Sequence, residues 1–219
     1  MAKEAIVLGG TGATGSKLVR LLLKDERYSK VKLFSRSGCD IHHNKIEEHL
    51  IDLFELENYA DIFTGDDVFC CIGTTKSKTP QKKKYRKIDY GIPVTAAKLA
   101  KANGINNFIV ISAMGADENS LIFYNRIKGE MQHEVLDEGI HHTYILQPSL
   151  IVAERKETRI MEKIGTAVMK FINPLLFGSA KKYRSITDTT IAKAMLWLAN
   201  NKYLDTIITS DVIQKLGKA

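Results

Sequence analysis

Tyr124 and Lys128, in the segment FYNRIKGE, stand four residues apart, and on a helix their side chains would share one face. A phenol ionises near pH 10 and exchanges protons poorly at neutrality, but a neighbouring ammonium stabilises its anion and brings it toward the working range of a general acid or base. Proton exchange with a substrate oxygen is therefore the chemistry this pair could carry. Spacing alone is weak evidence, because 8 tyrosines and 24 lysines among 219 residues give roughly one such pair by chance. A second pair, Tyr28 and Lys32, reads as straddling a helix end and a strand, a geometry unsuited to the task.

A proton donor needs a reactant held beside it, and the segment AIVLGGTGATGSKLVRLLL supplies the means. An apolar strand runs into a glycine turn and then into a helix whose Leu18, Val19, Leu22 and Leu23 share a face. Gly9, Gly12 and Gly15 let the backbone turn tightly and approach a pyrophosphate, which free amides at the helix start stabilise; Thr11, Ala13 and Thr14 complete that cradle. Strand before and helix after are the context that makes such glycines a dinucleotide site. The end of the second strand selects the cofactor. An acid there would hold a ribose 2′-hydroxyl, whereas this chain has Ser35 and Arg36, a hydroxyl and a guanidinium suited to a 2′-phosphate. NADP(H) is expected over NAD. Asp52, followed by Leu53, ends the third strand and either accepts the adenine amino group or caps the next helix. Gly73, Thr74 and Thr75 follow the fourth strand, where close backbone approach and two hydroxyls would face the cofactor, and Pro148 and Leu150 follow the sixth.

These strand ends belong to an alternation of short apolar runs with helix-period segments. It predicts an α/β fold, a Rossmann-type doubly wound parallel sheet with helices on both faces and a small C-terminal lobe. Strands are expected at EAIVL, KVKLF, EEHLI, DVFCCI, NFIVIS and HTYILQ, and helices near Thr14 to Lys24, Leu53 to Tyr59, Lys84 to Asn103 and Leu121 to Glu138. Pro93 predicts a kink or a late start in the third of these helices, and Gly104 marks its end. After Gln147 the alternation stops, leaving a loop and amphipathic segments near Arg159 to Ile172 and Asp188 to Asn200. Residues 1–147 are thus assigned to an NAD(P)-binding domain and 148–219 to a small substrate lobe integrated with it.

Composition bounds the rest. A chain with 44% hydrophobic and 26% charged residues suits one globular domain. It has no apolar run of about 18 residues and no signal-like N-terminus, so no membrane span and a cytoplasmic location are expected. Cys39, Cys70 and Cys71, like the pairs His42/His43 and His141/His142, follow neither disulfide nor metal spacing, so buried free thiols and no metal site are expected. The net charge of +7 is local: KSKTPQKKKYRK, residues 76–87, has seven basic residues and no acid, and 32 basic residues less these seven equal the 25 acidic ones. That run reads either as a solvated loop or as a lip for an anionic substrate or a protein partner; it lacks the aromatic interleaving of a specific nucleic-acid surface.

Taken together, GGTGATG, CCIGTTKSK, ISAMGADENS, FYNRIKGEMQ and YILQPSLI resemble the atypical, NAD(P)H-binding branch of the short-chain dehydrogenase/reductases, and within it the Tat-interacting, or metastasis-suppressor, oxidoreductase group. The resemblance runs from about residue 4 to 199. It implies that Tyr124 exchanges a proton with substrate oxygen, that Ser112, twelve residues upstream, orients the carbonyl, and that Lys128 binds the nicotinamide ribose and lowers the tyrosine pKa. The chain departs from the family pattern at Pro148 and Ser149, where relatives commonly carry proline and glycine, and at Asp89, near an asparagine common among relatives. The activity expected is NADPH-dependent reduction of a small carbonyl compound; the rival reading is an NADP(H)-binding regulatory or scaffold protein with little turnover.

Overall fold

The computed structural model describes residues 2–152 and 183–219. The described strands are β1 (Lys3–Leu8), β2 (Tyr28–Ser35), β3 (Ile46–Leu50), β4 (Asp67–Cys70), β5 (Asn107–Ile111), β6 (His142–Gln147), β7 (Ile151–Val152), β8 (Ile186–Thr187) and β9 (Ile207–Thr209). Seven form one sheet in the order β3-β2-β1-β4-β5-β6-β9, every pairing parallel, while β7 and β8 pair with each other. The helices are α1 (Ala13–Lys24), α2 (Lys82–Arg86), α3 (Ile92–Ala102), α4 (Phe123–Asp137), α5 (Asp188–Asn200) and α6 (Ser210–Leu216).

The middle strands read as unbroken apolar runs because helices cover both faces of the sheet. One buried cluster joins Leu18, Val19 and Leu22 of α1 to Ile191, Met195 and Leu198 of α5; the other joins Ala96, Ala97 and Ala100 of α3 to Met131 and Val135 of α4. From β1 the chain steps outward to β2 and β3, then crosses back to β4, β5 and β6. The strand order therefore reverses between β1 and β4, and the crevice at their carboxyl ends is where a doubly wound sheet takes a ligand.

Each expected strand is present, and the departures have physical reasons. The segment after β3 is a stretch of 3-10 turns, Leu53–Ile62, interrupted at Glu55 and Tyr59. Only Leu53 and Leu56 are buried in it, too few to support a continuous amphipathic helix. Near Pro93 the late start is realised: α3 begins at Ile92 with Pro93 in its first turn, where a missing N–H costs little. A π turn, Lys87–Gly91, precedes α3, with the Ile92 N–H reaching back to the Lys87 carbonyl, and this wider turn leaves room for a proline that has no N–H to offer. Gly104, at φ +68°, ends α3 as expected. Late in the chain, β9 extends the main sheet and α6 follows it, two elements too short for periodicity to announce. The segment near Arg159 to Ile172 lies outside the described residues.

At the amino ends of the strands, Asp67 is fully buried and accepts from the Tyr28 hydroxyl at 2.5 Å, the Asn107 amide at 2.6 Å and the Lys3 ammonium at 3.1 Å. Tyr28 and Lys32 both lie within β2, so this pair never shared a helix face; the Tyr28 hydroxyl joins β2 to Asp67 of β4 and accepts from the Asn200 amide at 3.0 Å. Tyr28→Phe leaves one buried carboxylate bond unmade and is expected to cost about 1.5–3 kcal/mol of stability, measured by urea unfolding, with cofactor affinity unchanged at the opposite edge of the sheet.

Candidate active site

The glycine turn is closed by contacts that exclude side chains. Gly9 has φ +80°, and a Cβ there would lie 2.9 Å from the Cys71 carbonyl oxygen at the exit of β4. The Gly12 N–H donates to the Gly9 carbonyl at 2.9 Å, and a Cβ on Gly15 would lie 2.1 Å from that same oxygen. Gly12 caps α1 without a side-chain bond, and the first turn carries no acid. The Ser16 N–H makes the first helical bond, to the Gly12 carbonyl at 3.0 Å, so the amides of Ala13, Thr14 and Gly15 have no intrahelical acceptor. With Thr11 exposed at the rim, the turn presents three backbone amides without intrahelical acceptors at a helix start, the arrangement that favours an anion.

At the end of β2, Arg36 is exposed, but Ser35 is buried and donates its hydroxyl proton to the Ser37 carbonyl at 2.7 Å. Among the described residues the guanidinium is therefore the unspent donor of that pair. Of the two readings for Asp52, capping is realised: its Oδ1 accepts from the Phe54 N–H at 2.9 Å, and Leu53 is buried in the core beside it. The Thr74 hydroxyl bonds that of Thr79 at 2.9 Å, its carbonyl accepts from the Tyr85 hydroxyl at 3.0 Å, and Thr75 opens the basic segment with its carbonyl accepting from Lys78 and Thr79. Pro148 is buried with its carbonyl accepting from the Met114 N–H at 3.0 Å, Ser149 donates to the Arg184 carbonyl, and Leu150 is exposed.

Tyr124 and Lys128 share a face of α4, yet their environments differ sharply. Lys128 is buried, its Nζ 3.1 Å from Oδ1 of Asp89 and 3.4 Å from the Ile111 carbonyl oxygen that it donates to. Asp89, 1% exposed on the π turn, also accepts at Oδ2 from the Thr74 N–H at 2.9 Å. Tyr124 reaches the surface of a cavity of about 530 Å³, and among the described residues its hydroxyl has no hydrogen-bond partner. Burial, and after it the Asp89 charge, push the Tyr124 phenol up to about 12. The phenol is thus not brought down in this structure, burial being the larger cause, and the Lys128 ammonium is paired with a carboxylate.

Thr74, Thr75, Thr79, Pro80, Tyr85, Ile122 and Phe123 wall the cavity with Tyr124, and among the described residues Lys76 and Lys82 are its charged lining. The basic segment is thus part of the site, with its second half helical as α2. Ser112, just past β5 and 3% exposed, stands behind this wall and does not line the cavity. Its Oγ accepts from the Gln132 amide at 2.5 Å, and Gln132 in turn accepts from Gln147 at 3.1 Å. Gln132 was missed from sequence, although Tyr124, Lys128 and Gln132 recur every four residues along one stripe of α4. Gly129 was also missed; a Cβ there would lie 2.1 Å from the Glu118 backbone nitrogen, so the loop after Ser112 lies directly on α4.

Comparison with known proteins agrees with this geometry. The NAD(P)H-binding family model matches residues 9–172. Protein HTATIP2 of Rattus norvegicus is 31% identical over 198 residues, covering 89% of this chain and 80% of the relative. Protein FMP52-1, mitochondrial, of Scheffersomyces stipitis is 30% identical over 182 residues, covering 80% of each. Among solved structures, the UDP-glucose 4-epimerase of Thermotoga maritima superposes with a TM-score of 0.69 at 16% identity, covering 98% of this chain and 81% of that one, a likeness of fold. The cytoplasmic expectation is corrected by the FMP52 relatives, several of which are named mitochondrial. Among the described residues no helix is long and apolar enough to cross a membrane, and that fact assigns no compartment.

Proposed function

The chain belongs to the NAD(P)H-binding family, and from that premise we propose that it is an NADPH-dependent reductase of small carbonyl compounds with Tyr124 as proton donor. The observation that carries this reading is the unspent Tyr124 hydroxyl in the wall of a largely apolar cavity that also touches Thr74 and Thr75 at the exit of β4. The cradle of Gly9, Thr11, Gly12, Ala13, Thr14 and Gly15 would hold the pyrophosphate, Arg36 the 2′-phosphate, and Lys128 the nicotinamide ribose. Asp52, Leu53, Gly73, Thr74, Thr75, Pro148 and Leu150 would border the rest of the cofactor, leaving Ser35 to shape the strand end. When bound, NADPH supplies the hydride that adds to the carbonyl carbon. As the C=O π pair settles on oxygen, Tyr124 gives that oxygen its proton, and the tyrosinate left behind is reprotonated from water. Ser112 lies outside the cavity with its Oγ accepting from Gln132, so Tyr124 is the proton donor that this reading requires. The described lining of the cavity lies wholly within residues 1–147, and residues 148–219 would complete the substrate side within the same domain.

Apolar and aromatic walls with Lys76 and Lys82 as the charged lining favour a carbonyl compound bearing an acidic group. The test is consumption of NADPH against paired aldehydes and ketones with and without a carboxylate. Turnover that prefers the acids supports the reading, and NADPH binding without turnover on the panel would leave the rival cofactor-dependent regulatory module. Arg36→Ala is expected to weaken NADPH binding by tenfold or more, about 1.5–3 kcal/mol for a bond to a charged group, while NADH binding stays the same. Equal losses for both cofactors would refute the 2′-phosphate assignment.

A further inference from the structure

Thr74 stands in the loop that leaves β4, and one stretch of chain, residues 79–89, takes each of its polar groups. Its N–H donates to Oδ2 of Asp89 at 2.9 Å, its carbonyl accepts from the Tyr85 hydroxyl at 3.0 Å, and its own hydroxyl bonds that of Thr79 at 2.9 Å. All three partners are buried. The N–H belongs to the peptide plane before Thr74 and the carbonyl to the plane after it, so holding both fixes the two backbone dihedrals between them.

The residues that grip this backbone also reach the Tyr124 and Lys128 stripe of α4. Asp89 pairs with Lys128 at 3.1 Å. Tyr85 lays its ring edge-on to that of Tyr124, with centroids 6.4 Å apart and planes at 90°, and to that of Phe123 at 5.8 Å and 69°. Both arrangements lie in the range that aromatic pairs prefer. Tyr85 is the buried residue of α2, whose other side chains are Lys82, Lys83, Lys84 and Arg86, so the basic segment turns this one ring inward. With its hydroxyl tied to Thr74 and its ring packed on α4, Tyr85 is a rigid spacer between the two.

We propose that Tyr85 is a positioning residue that sets the distance between Tyr124 and the loop bordering the cofactor, its hydroxyl holding the loop and its ring holding Tyr124. The consequence for rate rests on the reductase reading; the consequence for the loop needs only a bound dinucleotide. Tyr85 transfers no proton in this scheme, because its hydroxyl hydrogen is committed to the Thr74 carbonyl. Its effect is one of placement, and a shift of about 1 Å in a reacting group can cost about 100-fold in rate.

Two substitutions separate the two jobs. Tyr85→Phe keeps the ring and releases the Thr74 carbonyl; NADPH binding, followed by the fluorescence of the cofactor, is expected to weaken about two- to tenfold, the worth of one net hydrogen bond, with kcat held within about threefold. Tyr85→Leu removes the ring edge as well, and is expected to lower kcat about tenfold or more beyond that with no further loss of NADPH affinity. A general loosening of the fold would move both quantities together. The Tyr85→Leu loss in kcat should also disappear in a Tyr124→Phe background, where no donor hydroxyl is left to misplace. Wild-type NADPH affinity in Tyr85→Phe with native circular dichroism overturns the proposal, and so does a Tyr85→Leu loss of equal size with and without the Tyr124 hydroxyl. If no carbonyl on the panel is reduced, the reductase reading falls, and the NADPH titration of Tyr85→Phe still decides whether its hydroxyl holds the loop.

Discussion

Tyr124→Phe is expected to lower kcat for carbonyl reduction by about 10²- to 10⁴-fold, the range associated with losing a positioned proton donor. NADPH affinity should stay within about twofold, because the lost atom belongs to a hydroxyl that makes no hydrogen bond among the described residues and lies on the substrate side of the site. The ring itself remains. Its edge-to-face contact with Tyr85, at 6.4 Å between centroids, needs no oxygen, so thermal stability should barely change. A fall in kcat with KM held is the mark of an interaction made only in the transition state. Wild-type rates in the variant, on a substrate with confirmed turnover, would remove Tyr124 from the chemistry and favour the regulatory reading.

The frame of this site was legible because its signals are local and periodic. A buried strand, a glycine turn and an amphipathic helix are contiguous in AIVLGGTGATGSKLVRLLL, and six strand ends fall where alternating apolar runs put them. The charge balance was not legible, because it is made across long separations. Asp89 and Lys128 are 39 positions apart and meet only when a π turn rotates Asp89 inward, and the nearest sequence cue to that turn is a proline read as a kink or a late helix start. The same holds below the sheet, where Asp67 gathers Lys3, Tyr28 and Asn107 from three other strands. Gln132 lay nearer to view, since it continues the four-residue stripe of Tyr124 and Lys128. A pairwise motif stops at its second residue, and the third had no role until Ser112 was found against it.

The Ser35 and Asp52 outcomes share one cause. Hydroxyls and short carboxylates at strand ends bond readily to backbone within two residues, and here both do, to the Ser37 carbonyl and from the Phe54 N–H. Sequence identifies such groups as polar and available; local geometry decides whether they are already spent. Arg36 is longer and exposed, and among the described residues no bond to neighbouring backbone takes up its donors.

Gly15→Ala is expected to abolish tight NADPH binding, with a loss of at least about 100-fold, or about 2.7 kcal/mol, in titration of the cofactor. An added Cβ would sit 2.1 Å from the Gly9 carbonyl oxygen, 2.8 Å from its carbon and 3.1 Å from Gly10 Cα. All three are backbone atoms of the turn, so no side chain can swing aside and the turn itself must open. Opening it moves the Gly12 N–H from the Gly9 carbonyl and spreads the amides of Ala13, Thr14 and Gly15 that would converge on the pyrophosphate. Alanine's better helix propensity, about 0.5–1 kcal/mol, is too small to offset overpacking of about 1–3 kcal/mol, so urea unfolding should also register a net loss. Gly12→Ala is the graded control: its Cβ meets only the Gly9 oxygen, at 3.1 Å, and a smaller loss of affinity is expected. If Gly15→Ala binds NADPH within about threefold of wild type, the cradle is not where the pyrophosphate lies. Both functional readings need that cradle, so this substitution should silence either one, whereas Tyr124→Phe should silence only the enzyme.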